Sequence, residues 1–290
     1  MFSRPDGDLV RGEAPVRRIM ACLMPTRNES CVYHETHYRI ADARVWLKAY
    51  NRAHTPRAIL FHLVAYACAA ALEARPRLNR FVSGGRIYQR RGVSVSFAVK
   101  TAFTDESPIA AVKLPALPGE SFQAFSARMS SQVDEARRSG RRLDREVALV
   151  MRLPGPAVRW LIGLARRLDR WNLYPGFMIR DDPMFSSLFL ANLGSVGISD
   201  AFHHLYEYGT VSIFGAVSAP RRVATPSARG VAMEDMLSVR WTFDERIDDA
   251  FSSARSLALV RNILEHPSEH LGPPEGAPAW RCAKEAARRT

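Results

Sequence analysis

Residues 236–251 read MLSVRWTFDERIDDAF, and no other stretch limits the possible folds as strongly. Leu237, Val239, Trp241 and Phe243 alternate with other residues, the period of a strand with one buried face. Asp244, Glu245, Arg246, Asp248 and Asp249 then crowd together before Ala250 and Phe251 open a helical pattern. Burying so much charge is costly unless the charges pair or serve a site. A strand that delivers charge to its junction with a helix therefore marks both a core element and a candidate site.

The remaining patterns alternate between strand and helix. Residues 39–50 pass from a short strand into a helix carrying Val45, Trp46, Leu47 and Tyr50. Thr55-Pro56 offers a cap and a first-turn proline for a helix over 57–74. That helix is apolar nearly all round, as expected when it is buried against a sheet or a neighbouring subunit. Residues 86–88 and 93–99 are expected to form a hairpin around 89–92, with a further strand at 109–114. Phe122, Phe125, Met129 and Val133 give residues 120–138 one apolar helical face. Strands at 188–194 and 211–217, the strand at 236–243 and a closing helix at 249–264 complete the pattern. The class is α/β (α+β), a mixed β-sheet flanked by helices.

Particular strings sharpen this. Residues 244–250, DERIDDA, resemble the D-H-R-x-x-D-G motif of the catalytic domain of the dihydrolipoyl acyltransferase component of 2-oxoacid dehydrogenase complexes. Residues 188–194, LFLANLG, are similar to its F-T-I-S-N-L-G. Residues 76–79 with 92–99, and His37-Tyr38 ahead of Ile40 and Asp42, are similar to earlier segments of that family, so the matches run in order from about residue 14 to 267. The resemblance implies a chloramphenicol acetyltransferase-like fold that forms trimers with active sites between subunits. It also implies coenzyme A, as an acyl-CoA thioester, as the ligand, with no metal.

Two positions differ. Where the family has its histidine base, this chain has Glu245, and where the family has the serine that holds the oxyanion, it has Ala191. Asp249, Arg246 and Asn192 keep the family's identity. By that resemblance Glu245 is a base or substrate anchor, Asp249 pairs with Arg246 or another cation to order the corner, and Asn192 is a nearby polar contact. Proton transfer from a thiol near pKa 8.5 to an ordinary glutamate near 4.3 is uphill by roughly 6 kcal/mol, and an imidazole halves that penalty. The adjacent His203 and His204 are a surface or interface pair, or one of them is a substitute base. On a helix or strand, neighbouring side chains diverge, so at most one would face a given site. An altered acyltransferase and a non-catalytic trimeric scaffold or acyl-CoA- or lipid-binding module both remain open.

Composition bears on partners. Net charge is +12, which attracts anions such as coenzyme A phosphates, acidic lipids or nucleic acid. The arginines are scattered in pairs, with no aromatic-interleaved stripe, so nucleic acid is not expected. A homotrimer or higher homo-oligomer, and an acyl-CoA or acyl carrier, are the expected partners. Residues 141–182 are absent from the family pattern and read as a distinct excursion rather than a lengthened helix. Within them Ala157, Leu161, Leu164, Leu168 and Trp171 form a stripe beside Arg159, Arg166, Arg167 and Arg170. Such a segment can pack in an oligomer, cover an acyl-chain tunnel, or lie on an anionic membrane through 151–179.

Residues 1–13 read as a loose arm and 268–290 as a disordered tail around a catalytic domain at 14–267. The first lysine is Lys48, so no lipoyl domain is expected ahead of it. With no leader pattern and no apolar stretch of spanning length, a cytoplasmic location is the expectation. Cys22, Cys31, Cys68 and Cys282 are too dispersed for a metal site and read as free thiols, with Cys68 in the core.

Overall fold

A computed structural model describes residues 4–100, 109–228 and 230–276, with the side chains of 140–150 excepted. The first third contains β1 (Gly7–Leu9), α1 (Pro15–Leu23), β2 (Cys31–Arg39), α2 (Ala41–Ala53) and α3 (Leu60–Ala74). Next come β3 (Arg80–Ser83), β4 (Arg86–Arg90), β5 (Val93–Lys100), β6 (Ile109–Ala116), α4 (Phe122–Val150), α5 (Gly155–Arg170) and α6 (Gly176–Asp181). The last part contains β7 (Leu188–Asn192), β8 (Ile213–Val217), β9 (Arg221–Ser227), β10 (Gly230–Asp244), α7 (Ala250–Glu265) and α8 (Pro267–Leu271).

β10 is the spine of a seven-stranded mixed sheet ordered β2-β10-β8-β7-β5-β6, with β9 paired to the first half of β10. The β5–β7 and β7–β8 pairs are parallel and the others antiparallel. Leu237, Val239, Trp241 and Phe243 all enter the main core beside residues of α3 and α7, as their alternation predicts. Opposite Trp241 lies Gly215, where an added Cβ would sit 2.7 Å from the indole ring. The glycine thus makes room for the largest side chain of the core. α3 buries twelve of its residues between the sheet and the neighbouring helices, which accounts for its apolar circumference.

Thr55-Pro56 precede α3 rather than capping it. The His62 ring does that work, its Nδ1 accepting the Ile59 N–H at 2.9 Å. His62 is buried, and burial pushes its imidazole down to about 4. The unfolded chain takes up this proton first as pH falls, so the associated stability is complete above about pH 6.5 and lost by about pH 4. Denaturant titrations across that window should show a loss of about 3 kcal/mol that His62→Gln removes. An unchanged pH profile in the variant would contradict this assignment.

Four expectations are corrected. β4 and β5 are not a hairpin, because β4 pairs with β3 and β1 in a separate three-stranded sheet. The turn is instead Gly84-Gly85, with φ of +58° and +70°, the left-handed pair that a tight hairpin requires. Residues 4–9 are not a loose arm. β1 pairs with β4, and the buried Arg4 bonds Asp169 of α5 at 2.7 Å while stacking on Phe81. The excursion begins as a lengthened helix, since α4 runs on to Val150, and becomes separate only at α5. After residue 267, α8 and a short turn dock on α2, where Trp46 Nε1 donates to Gly272 O at 3.0 Å. Residues 277–290 of the expected tail, with Cys282, lie outside the described residues.

Candidate functional site

The end of β10 and the start of α7 form one wall of a cleft of about 690 Å³. Glu245, Asp248 and Asp249 line it from the corner, Val16, Arg17 and Met20 from α1, and Tyr33 and His34 from β2. Its remaining surface is mostly apolar, the usual make-up of a small-molecule site with a few placed polar groups.

The corner is held by the Asp244–Arg246 pair. Asp244 is fully buried and accepts from Arg246 Nε at 2.8 Å and Nη2 at 2.7 Å. Arg246 Nη1 also donates to Met24 O at 2.7 Å, tying the corner to the end of α1. Arg246 therefore points away from Glu245 and lines a different cavity. Asp249 does not pair with Arg246. It caps α7 by accepting the Ser252 N–H at 2.9 Å, and Arg17 Nη2 approaches it at 3.6 Å. Asp248 is buried, faces Arg77 Nε at 3.5 Å, and leaves Oδ2 without a hydrogen-bond partner.

Glu245 differs from its neighbours. Its backbone N–H donates to Ser30 O at 3.0 Å and its carbonyl accepts from Arg17 Nη1 at 3.3 Å. Its exposed carboxylate has no ion-pair partner among the described residues. Every other carboxylate of the corner faces an arginine, so of the three that line the cleft Glu245 is the one left without a cation among the described residues.

The other sequence candidates are not gathered here. Ala191 and Asn192 end β7, and their register partners across β8 are Arg240 and Val239 of β10. Five and six residues of chain separate those positions from Glu245, about 15–20 Å of extended strand. Asn192 lines a separate cavity with Lys100 and Arg137. His203 and His204 lie on the opposite face of the sheet, where His203 stacks on Phe214 at 4.1 Å. The two rings stack on each other at 4.7 Å rather than diverging, because the segment is neither helix nor strand. Both Nδ1 atoms donate to backbone carbonyls, at 2.7 and 2.9 Å, and burial lowers the pKa of His203.

Arg17 and His34 were not singled out from the sequence. A signal existed for α1: Pro15 starts it, and Val16, Ile19, Met20 and Leu23 follow at helical spacing. His34 carried none, because β2 mixes polar and apolar residues on both faces. Among the described residues, no group of histidine, cysteine and carboxylate side chains could hold a metal ion. Cys22, Cys31 and Cys68 are unlinked, and burial pushes the Cys68 thiol up to about 12.

No protein-family model matches the chain, and no curated protein matches it in sequence. Solved structures do match. One is the dihydrolipoamide acetyltransferase of Azotobacter vinelandii, in which a serine, a histidine and an asparagine have been investigated for catalytic roles. It is 14% identical, with a TM-score of 0.59 over 88% of this chain and 87% of that one. Another is the cubic core of the pyruvate dehydrogenase multienzyme complex, at 15% identity and a TM-score of 0.58 over 90% and 93% of the two chains. Chloramphenicol acetyltransferase matches at 12% identity and a TM-score of 0.51, over 89% of this chain and all of its own. The fold is thus that of the dihydrolipoamide acetyltransferase cores and of chloramphenicol acetyltransferase, as the motifs at 188–194 and 244–250 imply.

Proposed function

We propose that this chain binds the acyl thioester of coenzyme A in the Glu245 cleft and is an acyltransferase whose histidine base has been replaced by a carboxylate. The observation that carries this reading is the unpaired Glu245 carboxylate facing a largely apolar cleft at the D-E-R-I-D-D-A corner. Glu245 serves as base or substrate anchor, toward an acceptor easier to deprotonate than an ordinary thiol. Asp249 and Arg17 hold the corner in place.

The separation of Ala191 and Asn192 from Glu245 within one chain supports assembly into a homotrimer or higher homo-oligomer. In such an assembly, the Asn192 end of one copy's sheet meets the Glu245 end of another's. A cytoplasmic location belongs to the same reading.

Incubation with acetyl- and longer acyl-CoA tests it. Thioester hydrolysis or transfer that disappears in Glu245→Ala is the expected result. Binding without turnover would favour the non-catalytic scaffold or ligand-binding module instead.

A second role, contact with an anionic membrane through 151–179, rests on the outward face of α5. Trp160, Ile162 and Trp171 are exposed there beside Arg159, Arg166, Arg167 and Arg170, and no α5 residue is fully buried. No helix among the described residues is long and apolar enough to cross a membrane. Phosphatidylserine vesicles should co-sediment the protein and release it in Trp160→Glu, whereas neutral vesicles should not bind it. Equal sedimentation of wild type and variant would count against this contact.

A further inference from the structure

A second cavity, of about 530 Å³, lies on the other side of α1 from the Glu245 cleft. The Gly84-Gly85 turn, the C-terminal end of α5, the 207–209 segment and Arg27 line it. Its charge is unbalanced. Arg27, Arg86, Arg166, Arg170 and Arg246 face it, against only Asp169 and Glu207. Arg246 is neutralised by Asp244, and Asp169 is taken up by Arg4 at 2.7 Å. Arg27, Arg166 and Arg170 then face one carboxylate, Glu207, which approaches Arg166 no closer than 4.0 Å and accepts hydrogen bonds from Asn28.

Arg27 is the most telling of these. It is buried, and its guanidinium donates only to the neutral carbonyls of Tyr206, Glu207 and Val82, at 3.1–3.3 Å. Among the described residues its Nε–H has no acceptor and no carboxylate forms an ion pair with it. A buried charge without a counter-ion is strongly unfavourable, and such charges are normally paired. Desolvation accordingly lowers the pKa of Arg27 despite Asp244 and Glu207 nearby. Arg166 and Arg170 stand at the exposed rim, and among the described residues neither guanidinium has a carboxylate closer than 4.0 Å, so both can reach a bound anion.

We propose that this cavity is a binding site for a small phosphorylated ligand, whose charge compensates buried Arg27 and is gripped by Arg166 and Arg170. Clustered arginines suit phosphate oxygens, and the volume admits a molecule of nucleotide size. α5, which supplies Arg166 and Arg170, lies in the excursion at 141–182. The site does not depend on acyl transfer at Glu245. Phosphate could be presented by the nucleotide end of coenzyme A or by an independent phosphorylated metabolite.

Calorimetric titration of the full chain with pyrophosphate tests the proposal. Saturable binding that weakens at least about tenfold in the Arg166→Ala/Arg170→Ala double variant, and again in Arg27→Gln, is expected. The rim variant guards against misfolding, since both residues are exposed. Glu245→Ala should bind pyrophosphate as wild type does, which separates this site from the acyl-transfer reading. Competition by coenzyme A but not by 3′-dephospho-coenzyme A would identify the 3′-phosphate as the ligand group. Pyrophosphate binding that coenzyme A leaves untouched would identify a separate metabolite. Absence of pyrophosphate binding, or binding equally strong in the rim variant, would overturn the proposal.

Discussion

Replacing Asp244 with alanine is expected to cost about 3–5 kcal/mol of folding stability, because it strands a buried arginine without its carboxylate. Arg246 has its Nε and Nη2 on Asp244, and Nη1 alone, on the Met24 carbonyl, would remain bonded. Denaturant unfolding measures the loss directly. The double variant Asp244→Leu/Arg246→Leu should recover part of it, since apolar replacements of both partners avoid the stranded charge. A loss below about 1 kcal/mol in Asp244→Ala would mean that the corner does not depend on the pair.

The second large effect is a gain. Installing an imidazole with Glu245→His, together with Ala191→Ser, should raise acetyl transfer from acetyl-CoA to a dithiol acceptor by about 100- to 10,000-fold. The reason is thermodynamic: a free imidazole accepts a thiol proton less steeply uphill than a free carboxylate does. The hydroxyl would add an oxyanion donor, provided a second copy brings position 191 to the cleft. Following the free thiol over time reads the rate. A folded double variant that binds acetyl-CoA and transfers no faster than wild type would contradict the assignment of position 245.

Much of this architecture could be read from the residues. The alternation at 237–243, the all-apolar helix near 60–74 and the strand at 188–192 are where the patterns place them, because each buries a face that only one periodicity can supply. What escaped was decided by partners distant in sequence. The pairing of β1 with β4, the grip of Arg4 on Asp169 and the division of β4 from β5 between two sheets depend on contacts that no local window contains.

The site divides in the same way. Glu245 and Asp249 were legible from their motif and do share a cleft. Arg246 was identified, but its direction was not, because Asp244 outcompetes Asp249 for it by being two residues away on the buried side. Asn192 was read as a polar contact near Glu245 in a site shared between subunits; within one chain strand register sets it and Ala191 well along the sheet from Glu245, a placement that no local window contains. Arg27, with no motif around it, became conspicuous only once its surroundings showed a buried charge held by carbonyls alone.

A structure of the assembled protein with coenzyme A is the most direct measurement of the central claim. The account places the thiol end in the cleft lined by Arg17, His34 and Glu245, with position 192 of a second copy at its mouth. A thiol lodged elsewhere, or a cleft that stays empty at saturating coenzyme A, would contradict it.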